Sequence, residues 1–169
     1  MDVVLIYPDI PWNAGNIGRT CVATNTTLHL VEPLGFSLND KFVQRSGLDY
    51  WQHLDLKVHG SVRKCLGSDL KNLPFFFFSR FGKLSFWKIS FPRECALIFG
   101  SETKGLPKNL LKKYSDRVYR IPVSSPVRSL NLSSAVGIVL FEALRQHQAK
   151  PRIDVRREKK RLSSLRNQS

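Results

Sequence analysis

The stretch PWNAGNIGRT, residues 11–20, sets two asparagines, two glycines and an arginine directly behind the apolar run Val3 to Tyr7. A buried strand followed by a polar, glycine-bearing turn is how an open α/β sheet presents binding groups at its carboxyl edge. Asn13 and Asn16 offer amide donors and acceptors there, and Arg19, one helical turn beyond, offers a planar cation suited to phosphate. Two more loops have the same character. GSETKGLP, residues 100–107, follows the apolar run ALIFG and has glycines that let backbone approach a ligand closely. IPVSSPVRSLNLSSAVG, residues 121–137, carries Arg128, Ser129 and Asn131 on a proline-bearing connection that leads into a helix start. Each loop alone reads equally as a turn with capping residues. All three at strand ends can converge on one site, and their joint occurrence points to binding.

The spacings exclude the commonest nucleotide chemistries. Gly105 is followed by Leu106 and Pro107 rather than Lys and Ser or Thr, so residues 100–107 are not a P-loop. The turn at 13–19 lacks the GxGxxG order of a dinucleotide site. His29, His53, His59 and His147 show neither metal-ligand spacing nor an evident Ser or Cys partner. They read as structural or solvated, and Glu32, Asp49 and Glu142 as caps or ion-pair members.

The elements that must position these loops are legible from the apolar runs. VVLIY (3–7), LHLVE (28–32), FFFFS (75–79), ALIFG (96–100) and RVYRI (117–121) read as strands buried on both faces. Helical stretches fall from Ile17, around Lys41 to Ser46, Val62 to Leu66 and Lys108 to Tyr114, and over 134–147 behind the possible caps Asn131 and Ser133. Alternating strands and helices predict an α/β fold, a mostly parallel sheet with helices on both faces. The last helix is apolar almost all round, so more than one side of it needs cover.

The chain has 169 residues, one domain's length, and carries 27 Lys and Arg against 13 Asp and Glu, a net charge of +14. Such an excess points to a polyanionic partner, most simply nucleic acid. Residues 150–169 hold eight basic and two acidic residues, so a folded domain over 1–149 and a basic tail are expected. That tail is either a solvated extension or an electrostatic arm. Cys21, Cys65 and Cys95 read as reduced, packed thiols of a cytoplasmic protein. The acidic start MDVVLIYPDIPW matches neither a signal peptide nor a membrane span.

Together the three loop motifs resemble those of the SPOUT class of RNA methyltransferases. Within it they are closest to the SpoU-type enzymes that methylate the ribose 2′-hydroxyl of the tRNA wobble cytidine or uridine. PDIPWNAGNIGRT is similar to the first motif of that family, IFGSETKGLP to the second and IPVSSPVRSLNLSSAVGIVLFEALRQ to the third; VEPLGF and GLDYW fit the wobble-type subgroup. Trp12 and Gly18 stand where relatives often carry smaller or aliphatic residues. The resemblance covers about residues 2–148 and implies a C-terminal trefoil knot, a homodimer, tRNA as partner, S-adenosylmethionine as cofactor, and no metal or membrane.

By the same resemblance, cofactor contacts fall near Phe78, Gly100, Ile121 and Ser129, with Glu102 and Leu130 shaping the pocket. Arg19 is the residue implied to activate the 2′-hydroxyl. A guanidinium is a poor base, so holding the adjoining phosphate and steering the hydroxyl is an equal alternative. Asn131 and Arg128 are further orienters, and Asn13, Asn16 and Arg19 face the substrate. Rival readings are a SpoU-type enzyme acting on another tRNA position or on ribosomal RNA, and a knotted RNA-binding protein that has lost catalysis.

Overall fold

Strand β1 (Asp2–Ile6) lies inside the sheet with a neighbour on either side, because Val3 to Ile6 are apolar and buried on both faces. In the computed structural model, which describes residues 1–38 and 48–147, β1 pairs with β2 (Thr27–Val31) on one side and with β6 (Ala96–Phe99) on the other. β3 (Leu56–His59) continues the sheet beyond β2; β4 (Phe75–Phe78), β7 (Val118–Arg120) and β5 (Leu84–Ser85) continue it beyond β6. The order is β3-β2-β1-β6-β4-β7-β5, with every pair parallel.

Period-two alternation sends the two faces of these strands into two cores. Val3, Leu5, Leu28, Leu30, Leu97 and Phe99 pack against α1 (Pro11–Thr24) and the later helix Leu132–Arg145. Val4, Ile6, Val31, Phe77 and Ile98 face the other way. There they meet a short helix α2 (Val62–Lys64), the π-helical turn that prolongs it (Cys65–Asp69), and α3 (Lys108–Lys113). The helix Leu132–Arg145 is therefore α4.

The five expected strands are present, each within a residue or two of its apolar run. Burial on both faces holds for β1, β2 and β6 but not for β7, whose Arg120 is exposed. β3 and β5 have no counterpart in the sequence reading: LKVH alternates with a lysine at one edge of the sheet, and β5 is two residues long. The expected helix at Lys41 to Ser46 and the tail 150–169 lie outside the described residues.

The segment 13–19 requires a correction, because it is helix rather than turn. The reversal occurs earlier, at Tyr7 (φ 56°) and Pro8, and α1 starts at Pro11, whose fixed φ and missing N–H suit a first helical position. Gly18 serves packing instead: a Cβ there would lie 3.0 Å from the Trp51 ring and 3.1 Å from Leu54.

α4 begins two residues before the expected position 134, because the Asn131 side chain accepts from the N–H groups of Ser133 and Ser134. Val136, Val139, Leu140 and Ala143 are buried, whereas Ile138 and Phe141 are 41% and 49% exposed. All three cysteines are free and buried, and burial pushes the Cys21 and Cys65 thiols up to about 12 and Cys95 to about 11. No helix among the described residues is long and apolar enough to cross a membrane.

Candidate active site

Because all strands are parallel, the segments that leave β1, β6, β4 and β7 emerge on one edge of the sheet, and these four strands are adjacent. Between the segments lies a cavity of about 520 Å³. Phe78, Gly100, Glu102, Ile121, Ser129 and Leu130, the six residues expected to hold a cofactor, all line it. Asn13, Arg128 and Asn131 line it too. Its apolar wall comes from Phe78, Phe99 and Ile121, and the stacked rings of Phe78 and Phe99, 4.9 Å apart, fix its floor. Its lining is charged as well, with Arg80, Lys104, Arg120, Arg128 and Glu102.

One buried side chain ties the three motifs together. Asn13 Nδ2 donates to Glu102 Oε1 at 2.8 Å, and Asn13 Oδ1 accepts from Asn131 Nδ2 at 3.0 Å. Asn131 Oδ1 in turn accepts from the Ser133 N–H at 2.9 Å and the Ser133 hydroxyl at 2.7 Å, so the same residue caps α4. The second Glu102 oxygen accepts the Asp9 N–H at 2.8 Å. Asp9 answers with its own carboxylate, which accepts from the Thr103 hydroxyl at 2.5 Å and the Thr103 N–H at 3.3 Å. The Thr103 hydroxyl is the largest influence holding the Asp9 carboxyl below its ordinary range, against the opposing effect of burial.

Gly100 is needed for a reason other than the one its sequence suggests. A Cβ there would lie 2.1 Å from the Gly105 carbonyl carbon and 2.2 Å from the Leu106 nitrogen, so its close approach is to the loop's own backbone. Gly105 closes that loop with φ +68°, and its N–H donates to Ser101 O at 2.9 Å.

Arg19 and Asn16 are not brought to this cavity. Both lie on the exposed side of α1, and the Arg19 guanidinium sits 5.0 Å from the centre of the Tyr50 ring. Asn13 is only 5% exposed, and its amide is bonded to both of the other motif loops.

Residues 1–141 match the SpoU rRNA methylase family. The chain belongs to that family. A relative in Bacillus subtilis (strain 168), provisionally named a tRNA (cytidine(34)-2′-O)-methyltransferase, is 48% identical over 149 residues, covering 86% of this chain and 92% of its own. Among solved structures, one described as "Structural insights into the 2-OH methylation of C/U34 on tRNA" has a TM-score of 0.84 and 42% identity, covering 88% of this chain and 97% of that one. An AdoMet-bound rRNA methyltransferase from Sinorhizobium meliloti has a TM-score of 0.76 and 25% identity, covering 85% of this chain and 55% of that one.

Within this SpoU-family site the sequence reading missed the Asp9–Thr103 clasp and the rim cations Arg80 and Arg120. Arg80 follows an apolar strand just as Gly100 does, which was the available signal; the clasp joins residues 94 apart in sequence and left none.

Two expectations follow. Asn13→Ala strands the Glu102 carboxylate and the Asn131 amide, and should lower unfolding stability by about 1–3 kcal/mol; unchanged urea unfolding would show that the tie carries no weight. The Asp9 clasp contributes stability above the ordinary aspartate value of 3.8 and loses it as pH falls through the lower folded value. The stability gap between wild type and Thr103→Val should therefore be present at neutral pH and close on acidification, and a gap that widens in acid contradicts the assignment.

Proposed function

We propose that the protein transfers a methyl group from S-adenosylmethionine to the ribose 2′-hydroxyl of the wobble cytidine or uridine of tRNA. The observation that carries this reading is the convergence of all three motif loops on one cavity, with Asn13 bonded to both of the others. The B. subtilis relative, 48% identical, and the solved structure concerned with C/U34 support the position and the chemistry.

The cavity suits S-adenosylmethionine. Its apolar wall takes an adenine, its loops offer backbone amides, and its volume is that of a small-molecule site. Phe78, Ile121 and Leu130 would hold the base, Gly100 and Ser129 the neighbouring backbone contacts, and Glu102 the polar end. The cofactor supplies an electrophilic methyl on a sulfonium. The protein's task is then to fix the 2′-hydroxyl in line with that methyl and to accommodate the proton it sheds. Arg128, on the rim, orients the incoming nucleotide through its phosphate.

Arg19 serves a partner's site. It stands outside its own chain's cavity, and Ile138 and Phe141 are exposed on α4, which packs beside α1. A second copy of the chain covers that apolar face and brings Arg19 to the other cavity, where its guanidinium holds phosphate and steers the hydroxyl. The tail 150–169 adds a basic arm for the RNA backbone.

The reading is tested by incubating the purified chain with S-adenosylmethionine and tRNA and mapping 2′-O-methyl groups. Methylation at the wobble nucleotide is expected; methylation confined to another position, or to ribosomal RNA, would replace it with a rival.

For the assembly, Ser129→Trp fills the cavity from an exposed position, and Arg19→Ala removes the guanidinium. Each variant alone should be inactive, and mixed dimers should regain activity. If light scattering shows subunit exchange and no methyl transfer returns, Arg19 does not act across the interface.

Deleting residues 152–169 should weaken tRNA binding and flatten its log–log salt slope by about 0.7–0.9 for each phosphate that the tail neutralises. An unchanged slope would mean that the tail does not touch the RNA.

A further inference from the structure

On the other side of β1 from the cavity, at the β2–β3 edge, three ligand-type side chains meet inside the protein. His29 is fully buried, His59 is 2% exposed and Cys65 fully buried, and one ligand atom from each lies within 4.8 Å of the others. His29 comes from β2, His59 ends β3, and Cys65 opens the π-helical turn that closes over them, an uncommon form frequent at functional sites. Parallel pairing sets Val31 against His59, and the two imidazole rings lie nearly parallel, at 7°, edge to edge with centroids 5.1 Å apart.

Each imidazole of this cluster has a carboxylate beside its outer nitrogen. His29 Nε2 lies 3.0 Å from Asp2 Oδ1, His59 Nδ1 lies 3.3 Å from Asp69 Oδ2, and His29 Nδ1 faces His59 Nε2 at 2.9 Å. With two neutral imidazoles, one tautomer pair sends both N–H groups outward to the carboxylates. Once both carboxylates have taken an imidazole N–H, two lone pairs face each other in a dry interior. A cation between them would be held by both lone pairs. Histidines whose outer N–H is held by a carboxylate while the inner nitrogen points at a common centre are the usual supporting arrangement of a metal site.

We propose that His29, His59 and Cys65 bind one divalent cation of the zinc class, pinning the π-helical turn to the edge of the sheet. Nitrogen and sulfur donors suit zinc, and three protein ligands leave the fourth tetrahedral position to water. Ideal bonds would set the two nitrogens about 3.4 Å apart and each about 3.6 Å from sulfur, so separations now within 4.8 Å need to change by about 1.2 Å or less. The thiolate with Asp2 and Asp69 outweighs the charge of a divalent ion, while Lys57, Lys64 and the Met1 amine stand around them. Burial holds the His59 imidazole below its ordinary range, and burial with Asp69 and Asp2 pushes the Cys65 thiol up to about 12.

The test uses the untagged full-length chain, stripped with a chelator and titrated with Zn²⁺ against a chromophoric competitor, then with Co²⁺ by absorption. One Zn²⁺ per chain is expected, with a melting temperature that rises with metal concentration. Co²⁺ should give a thiolate-to-metal charge-transfer band. Cys65→Ser should abolish that band, and Asp69→Asn should weaken zinc binding about 10–100-fold. If Cys65→Ser does not fold, the wild-type Co²⁺ spectrum decides alone. Absence of the band overturns the proposal and leaves a shared proton between the rings; zinc held equally well by Cys65→Ser also overturns it, because that metal sits elsewhere.

Discussion

A single carboxamide, that of Asn13, sets the geometry of the cavity at the sheet edge. Glutamate can only accept, so Asn13 must turn its NH₂ toward Glu102, and this leaves its carbonyl for the Asn131 amide. Asn131 is thereby aligned to cap α4, and the helix, the β6 loop and the first turn of α1 share one origin. The net free energy of each bond is modest, about 0.5–1.5 kcal/mol and more where a charge takes part. What the network supplies is position. Neither a valine nor an aspartate at position 13 could satisfy both neighbours.

The rest of the edge is consistent with that constraint. Asp9 and Glu102 each accept from the other's segment, so the β1 and β6 loops are clasped reciprocally. The loop 100–105 folds so tightly on itself that Gly100 has no room for a Cβ. Rigid loops above a parallel sheet hold ligand groups without being reordered on binding, which lowers the cost of recognition. The cations on the rim, by contrast, are exposed and free to follow an RNA backbone. The site thus divides into a fixed interior for a small molecule and an adaptable, basic exterior for a polyanion.

Much of this was legible in the sequence because buried parallel strands are written as continuous apolar runs, and VVLIY, LHLVE and ALIFG are such runs. The loops that line the cavity could be found because glycines and short polar residues follow those strands. α1 was misread at its start, since Asn13, Gly15, Asn16 and Gly18 together have turn composition. Pro11 and tertiary packing decide for helix, with Gly18 making room for Trp51. The clasp of Asp9 on Thr103 and the meeting of His29 with His59 depend on strand order, which local periodicity does not encode. Arg19 was recognised by resemblance, and the fold leaves it outside its own cavity, on the exposed side of α1.

The central claim is that preorganised motif loops form the methyl-donor site. The most direct measurement is a crystal structure of the protein with S-adenosylmethionine bound. The account predicts the adenine against Phe78, Ile121 and Leu130, with the Glu102–Asn13–Asn131 hydrogen bonds unbroken. A cofactor bound elsewhere, or bound only after that network has come apart, would contradict it.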